Sequence, residues 1–304
     1  MATIETVTGP ADIDSIGLTL PHEHVFVDLL GPDDPAFCQV DWAVIREDCG
    51  HTMAGLRRVD VDLFVDCTAI GIGRNVELLR DLSESTGVRI VCATGIYKGL
   101  VPSDLREATV DELAARFVRE LTEGIDGTDV RAGVIKLATT ETGATARETE
   151  VHRAGAIAAV ATDTTIVLHS PQAAVTRDVL AVLEAEGFDP ARLIWAHAHE
   201  STPEENVELA ERGATISYDA ISVRDDEEMI DRIELLGEKG FGQQVIVSTD
   251  TSMWVNPPEL SYDRSIEHLL GVFLPHLQAR LGSAARHRLT HENPVRAIAR
   301  PTGG

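Results

Sequence analysis

The feature that most limits what this chain can fold into is a rhythm of short β-branched apolar runs alternating with longer amphipathic segments. The runs are VDLFVDC (61 to 67), VRIVCA (88 to 93), RAGVIKL (131 to 137), TTIVLH (164 to 169), RLIWAH (192 to 197), ATISY (214 to 218) and QVIVS (244 to 248). Continuous apolarity of this kind suits strands buried on both faces. The intervening segments carry helix punctuation. Thr109 and Glu112 have capping-box spacing, Ser170-Pro171 and Thr202-Pro203 each pair an N-cap with proline at the first helical position, and Gly187 fits a C-terminal stop. The extended GLTLPHEH segment (17 to 24) adds a first strand, and the last helix is expected over Tyr262 to Leu281. Eight such units close most simply into a single α/β domain over 1–304, a (β/α)8 TIM barrel with a short N-terminal extension.

Composition narrows the partners. The chain carries 26 Lys+Arg against 50 Asp+Glu, a formal net charge of -24, which argues against nucleic acid or an anionic membrane. With 43% hydrophobic and 25% charged residues it has enough apolar material for a full core. The longest uninterrupted apolar stretch, Ala154 to Ala161, falls far short of the roughly 20 residues of a membrane helix. No basic, apolar leader opens the sequence, so a cytoplasmic location is expected. Cys38, Cys49, Cys67 and Cys92 form no Cys-x-x-Cys pair and read as reduced packing residues. The acidic run Asp225 to Asp231 reads as the solvated first turns of a helix.

The polar residues interrupting these runs fall in a consistent place. His22 and His24 end the first predicted strand, Lys136 the fourth, His169 the fifth and His197 the sixth, while Asp250 follows the eighth. In a β/α barrel all those ends share one mouth. His22 and His24, two apart in extended chain, face the same side and can hold one metal. Lys136 is costly to bury as an ammonium and would repel nearby cations. It either snorkels to the mouth or, as a neutral amine, captures carbon dioxide as a carbamate that bridges two divalent metals. Glu23 should point away from them. Gly71 to Asn75 lacks the third glycine of a phosphate loop and reads as a cap on the second crossover, with Arg74 and Asn75 structural. Asp28 either orients His24 or caps a turn. Met253 and Trp254 would form an apolar pocket wall. Ser170 reads as a helix cap, since no Gly-x-Ser-x-Gly elbow accompanies it.

Taken in order, the pieces TVTGPADIDSIGLTLPHEH, VDCTAIGIGRN, CATGIY, GVIKLATT, VLHS, IWAH, STDTS and HENPVRAIA resemble the phosphotriesterase family of the amidohydrolase superfamily over nearly the whole length. The resemblance implies a barrel with a binuclear zinc centre, cobalt, manganese or iron being substitutes. It places His22, His24 and Asp250 on one metal and His169 and His197 on the other. Lys136 matches the carbamylated bridging lysine, and Tyr97 the tyrosine that reaches toward the metals and a bound substrate. A bridging hydroxide would attack the substrate while Asp250 accepts its proton, so Asp250, Lys136 and Tyr97 are the expected catalytic residues. The family habit implies a homodimer and a small-molecule substrate.

Three features depart from the family pattern. His199 stands two residues beyond His197, as a substrate contact, a partner of Asp250 or part of a proton path. Asp219 leads to Ala220, where lactonases place arginine. The loop over about Thr251 to Ser261 is short beside those of long-loop lactonases. The expected reaction is hydrolysis of a lactone or carboxylic ester, followed in order by phosphotriester hydrolysis, amide hydrolysis and a barrel that binds ligand without turnover.

Overall fold

Each apolar run becomes a strand, and period-two alternation along these strands decides what faces the barrel axis. The computed structural model describes residues 2–261 and 264–301. Parallel strands β1 (Leu18–Asp28), β2 (Val61–Asp66), β3 (Arg89–Val91, continued by Ala93–Thr94), β4 (Val134–Ala138), β5 (Ile166–His169), β6 (Leu193–Ala196), β7 (Thr215–Tyr218) and β8 (Val245–Val247) follow one another in chain order. The ring closes beyond β8, where the Asp250 N–H donates to the His22 carbonyl at 3.1 Å and the His24 N–H to the Thr251 carbonyl at 2.8 Å. Part of the expected final loop is therefore strand: Ser252–Asn256 runs parallel to β1, pairing Ser252 with His24 and Asn256 with Asp28.

Helices α1 (Trp42–Arg58), α2 (Val76–Thr86), α3 (Val110–Thr122), α4 (Ala146–Thr162), α5 (Ala173–Ala185), α6 (Pro203–Glu211) and α7 (Asp226–Glu238) cover the strands. The capping box of Thr109 with Glu112 and the Thr202 N-cap ahead of Pro203 form as the sequence predicts, Thr202 adding a capping box with Glu205, and Asp225 caps the acidic first turns of α7. Two expectations are corrected. Ser170-Pro171 does not open α5: the helix starts at Ala173, whose N–H is capped by Ser201 Oγ at 2.9 Å from the β6 side, while the Ser170 hydroxyl accepts from Thr176 at 2.9 Å. The last helical run covers 266–281, capped by Ser265 and widened by a π-turn at Leu269–Phe273; Tyr262 lies outside the described residues. Among the described residues no helix is long and apolar enough to cross a membrane.

Alternation sorts the strand residues into two layers. Phe64, Ile135, Leu137, Leu168, Trp195 and Ile216 pack outward against the helices. Leu63, Val65, Val91, Val134, Val167, Ile194 and Ile246 pack together inside the barrel. Continuous apolar runs thus serve two separate cores, each buried CH2 contributing about 0.8 kcal/mol. Below, Ile4, Val295 and Ile298 join the inner cluster, held by an antiparallel hairpin of Ala2–Thr6 with Gly9–Asp12 to which Arg300–Pro301 adds. Above, the next inward positions are polar: two residues past Val134 comes Lys136, and two past Val167 comes His169.

The Gly71 to Asn75 segment is structural, as expected. Asn75 caps α2 by accepting from the Leu78 N–H at 3.0 Å. The Arg74 guanidinium, 4% exposed, forks onto the 2% exposed Glu120 carboxylate at 2.6 and 3.1 Å. Burial alone would raise the Glu120 carboxyl, and Arg74 reverses this to leave it below its ordinary value. Arg74→Met removes the forked partner but leaves Glu120 with Arg116 at 2.8 Å and Thr94 at 2.7 Å, so urea unfolding should show a loss of about 1 to 3 kcal/mol. An unchanged midpoint in Arg74→Met would mean the pair contributes nothing.

Candidate metal centre

The upper layer of the barrel gathers six side chains from five strands or strand ends. His22 and His24 come from β1, Lys136 from β4, His169 from β5, His197 from the end of β6, and Asp250 from the turn after β8. All six sequence-predicted ligands line one cavity of about 590 Å³. Near Pro21, which brings no N–H to the ladder, the β1–β2 register shifts between Leu20 and Glu23, and beyond it the two histidines sit with ring centroids 5.7 Å apart. His197 and Asp250 have left-handed backbones, φ 64° and 53°. Such conformations cost on the order of 1 to 3 kcal/mol and concentrate where surrounding structure over-determines a site.

The ring nitrogens show what the arrangement can hold. His22 Nδ1 lies 2.8 Å from Asp219 Oδ2, His197 Nδ1 lies 2.9 Å from Asp219 Oδ1, and His24 Nδ1 lies 2.9 Å from Thr68 Oγ1. Donation from Nδ1 to those oxygens leaves the Nε2 lone pair of each ring facing the cavity. The lone pairs converge: His24 Nε2 lies 3.2 Å and His22 Nε2 3.5 Å from Asp250 Oδ1, and His197 Nε2 lies 2.6 Å from His169 Nδ1. Converging lone pairs and a carboxylate repel one another unless cations lie between them, so this donor set fits divalent metal. His22, His24 and Asp250 offer ligand atoms all within 4.8 Å of one another, and so do His22, His197 and Asp219.

The protonation states agree with that chemistry. Burial, with Lys136 beside it, pushes His22 down to about 4. Burial, then His197 and Lys98, push His169 well below its ordinary value. Neutral imidazoles are what a metal requires. Burial would raise Asp250, but His22, His24 and His197 hold its carboxyl far below the usual carboxylate range. Lys136, 1% exposed, has its Nζ 2.7 Å from His22 Nε2, a neutral partner. Gly95 makes room for this strand. Its φ is +100° and a Cβ there would stand 2.1 Å from the Lys136 carbonyl oxygen, so the glycine of CATGIY is required by close approach.

The remaining predicted residues separate. The Tyr97 hydroxyl lies 3.5 Å from both ring nitrogens of His169 and lines the cavity. His199 lines it too, but its ring lies 3.4 Å from Asp219 and 3.3 Å from Glu200, so the expected partner Asp250 is replaced by Asp219. Met253 and Trp254 are absent from the lining and pack on the outer core; the wall they were expected to make is formed by Ser252, Val255 and Leu260. Strand pairing along β1 is what turns the tryptophan away. Asp28 takes its turn-capping role, accepting from the N–H groups of Leu30 at 3.0 Å and Cys38 at 2.7 Å. Glu23 points away from the histidines and accepts from Ser248, Thr249 and Thr251 beyond β8; burial pushes it up to about 7 against those bonds.

Sequence reading missed three supports. Asp219, fully buried at the end of β7, was noted only for the residue after it, although its place at a strand end follows the same rule as the ligands. Thr68 has no sequence signal. Arg264 arrives from beyond the last strand, donating to the carbonyls of Asp219 at 2.9 Å and Thr249 at 2.8 Å with its Nη1 3.2 Å from Asp250 Oδ2.

A β/α barrel whose mouth gathers imidazoles and a carboxylate in this way defines a metal-dependent hydrolase. Comparison gives the family. The model of the phosphotriesterase family matches residues 2–298, and the chain belongs to that family. It is 30% identical over 290 residues to a phosphotriesterase homology protein of Escherichia coli, covering 92% of this chain and 97% of that one. It is also 30% identical over 223 residues to an aryldialkylphosphatase of Saccharolobus solfataricus, covering 70% and 69%. Among solved structures, a mutant of a phosphotriesterase-like lactonase from Deinococcus radiodurans superposes with a TM-score of 0.84 at 28% identity, covering 97% of this chain and 100% of that one.

The shared carboxylate gives a test. Asp219→Asn removes a charged partner from two rings at once and should weaken metal retention by about 10- to 100-fold, read as metal content after dialysis against graded chelator. Retention equal to the parent protein would show that Asp219 does not orient the rings.

Proposed function

We propose that this protein hydrolyses a small lactone or carboxylic ester with two divalent cations, zinc in the first instance, held by His22, His24, His169, His197, Asp250 and a carbamylated Lys136. The observation that carries the proposal is Lys136: a lysine 1% exposed, on the axis-facing side of β4, whose hydrogen-bond partner is a neutral imidazole. An ammonium is costly in that position. Addition of the neutral Nζ to the carbon of carbon dioxide, with loss of one proton, forms an N–C bond and leaves a carboxylate-like group of charge −1. That group supplies the anion the donor set lacks near β4. Nitrogen and oxygen donors of this mixture suit zinc. Four free cysteines support a reducing compartment such as the cytoplasm.

The metals, when bound, supply an acidified water and a Lewis acid for the substrate oxygen. The chain's residues do the rest. Asp219 and Thr68 hold three rings in the tautomer that presents Nε2. Asp250, ionised and within reach of two histidines, accepts the proton of the attacking water. Arg264 fixes the other oxygen of Asp250, so that the carboxylate presents one defined edge. Tyr97, with its hydroxyl against His169, stands where it can donate to the substrate oxygen that gains charge. No protein nucleophile is needed, which leaves Ser170 in its hydrogen bond with Thr176. Phosphotriester hydrolysis is the second reading, favoured by the likeness to the aryldialkylphosphatase of Saccharolobus solfataricus, because the same attack serves a phosphoryl centre.

Metal content close to two per chain is expected, with hydrolysis of chromogenic esters and lactones lost on chelation under mild denaturation and restored by zinc. Full activity in metal-free protein would reject the mechanism. Lys136→Ala should lose metal and regain part of its activity with added short carboxylates that replace the bridge; metal loss without any rescue would argue against carbamylation. In a metal-replete Asp250→Asn protein, kcat should fall by a factor on the order of 10² or more, and near-parental turnover would remove Asp250 as proton acceptor.

A further inference from the structure

The cavity holds a cation that the hydrolytic reading leaves unused. Lys98 follows Tyr97 at the mouth, is half-buried, and lines the cavity beside Tyr97, His169 and Glu141. Its Nζ stands 5.2 Å from the centroid of the Tyr97 ring, a cation–π contact that fixes the ammonium at the cavity edge. Glu141 and Glu148 act on it at longer range, and burial lowers its pKa against them. Among the described residues no salt bridge engages this ammonium, Glu141 on the same lining being the first of the carboxylates that act on it. The chain holds only three lysines, and two of them, Lys98 and Lys136, line this one cavity. Surface cations elsewhere are mainly arginines in ion pairs, such as Arg106 with Asp33 and Arg280 with Glu227.

The backbone adds a second observation. Among the described residues seven non-glycine ones have positive φ, and three of them line the cavity: His197, Asp250 and Lys98, the last at φ 49°. Histidine and aspartate are the kinds of residue that tolerate this region. Lysine is not, yet it stands there immediately before Gly99. Strain of this sort persists where it aims a functional side chain.

We propose that Lys98 is a specificity residue that binds a second, anionic group of the substrate, so that the preferred substrates are lactones or esters carrying a carboxylate or similar oxyanion beyond the scissile bond. This rests on the hydrolytic reading of the same cavity. A compact ammonium, half removed from water, gains from an anionic partner brought to it by the substrate. With a formal net charge of -24 the protein repels anions at a distance, so their recognition depends on a cation inside the mouth.

The test uses metal-loaded protein and two chromogenic esters with one leaving group, 4-nitrophenyl acetate and the mono-4-nitrophenyl ester of glutaric acid. The ratio of kcat/KM for the anionic over the neutral ester should exceed one. It should fall by roughly 10-fold or more in Lys98→Met, mainly through KM, and be largely kept in Lys98→Arg, as loss of one charge-assisted hydrogen bond implies. Calorimetric titration with glutarate and with its monomethyl ester reads the same preference without turnover: tighter glutarate binding should be lost in Lys98→Met. Metal content and circular dichroism check that the variants are folded and loaded. Hydrolysis of both esters with a ratio unmoved by Lys98→Met, and equal binding of the two glutarate forms, would overturn the role of Lys98 while leaving the hydrolase standing. Absence of ester hydrolysis with the calorimetric preference intact would support anion binding and sink the hydrolytic reading instead.

Discussion

The site depends on one buried carboxylate. Asp219 at the end of β7 accepts from a ring of β1 on one oxygen and a ring of β6 on the other, at 2.8 and 2.9 Å, and also takes the His197 backbone N–H at 3.0 Å. Strands that are not neighbours are thereby joined across the barrel axis. Burial would raise this carboxyl, but His197 and His22 hold it well below its ordinary value, so it stays charged with no exposure to water. Leaving such a group unpaired costs several kcal/mol, which makes the ring positions and the ionised carboxylate mutually dependent. The two imidazoles cannot turn away without stranding the anion.

The polar layer that Asp219 organises is a consequence of strand periodicity. Inward positions two residues apart run from Val134 to Lys136 and from Val167 to His169, so the same alternation that seals the barrel below places the reactive groups above it. A polar residue one position earlier or later would face the helices instead, as Trp195 does with its indole N–H on the Ser170 carbonyl at 2.6 Å. Alternation alone does not place every donor: His197 follows the inward Ala196 and reaches the cavity through its left-handed backbone, φ 64°.

That logic explains what could be read from the chain. The strands, most helix caps and all six ligand candidates rest on local signals: apolar runs, capping pairs and polar residues at run ends. Asp219 obeys the same rule and was readable. Thr68, Arg264 and Lys98 were not, because their roles arise from contacts between segments far apart in sequence and carry no periodic or motif signature. Trp254 failed for a related reason. A tryptophan near the mouth reads as a pocket wall until the pairing of Ser252–Asn256 with β1 is known, and that pairing depends on how the barrel closes. The cap of α5 failed similarly, since Ser201 comes from the next unit and displaces the adjacent Ser170-Pro171 signal.

Around the centre, the charges are arranged asymmetrically. Arg264 approaches Asp250 from the β8 side and is committed to two carbonyls and that carboxylate. Glu200, on the β6 side, is tied to His199 and Arg224. Both are engaged in holding the protein's own groups, so neither is at liberty to meet a ligand without breaking a bond already made. Apolar side chains such as Val27, Ile72 and Val255 line other parts of the same cavity. A substrate that enters thus meets committed charges near β6 and β8, apolar surface beside β1, and the Lys98 ammonium by the Tyr97 ring, with the Glu141 carboxylate also on the lining. On the proposed reading, that asymmetry would orient a substrate with its reacting centre between the histidines, an apolar body against the valines and isoleucine, and a negative group toward Lys98.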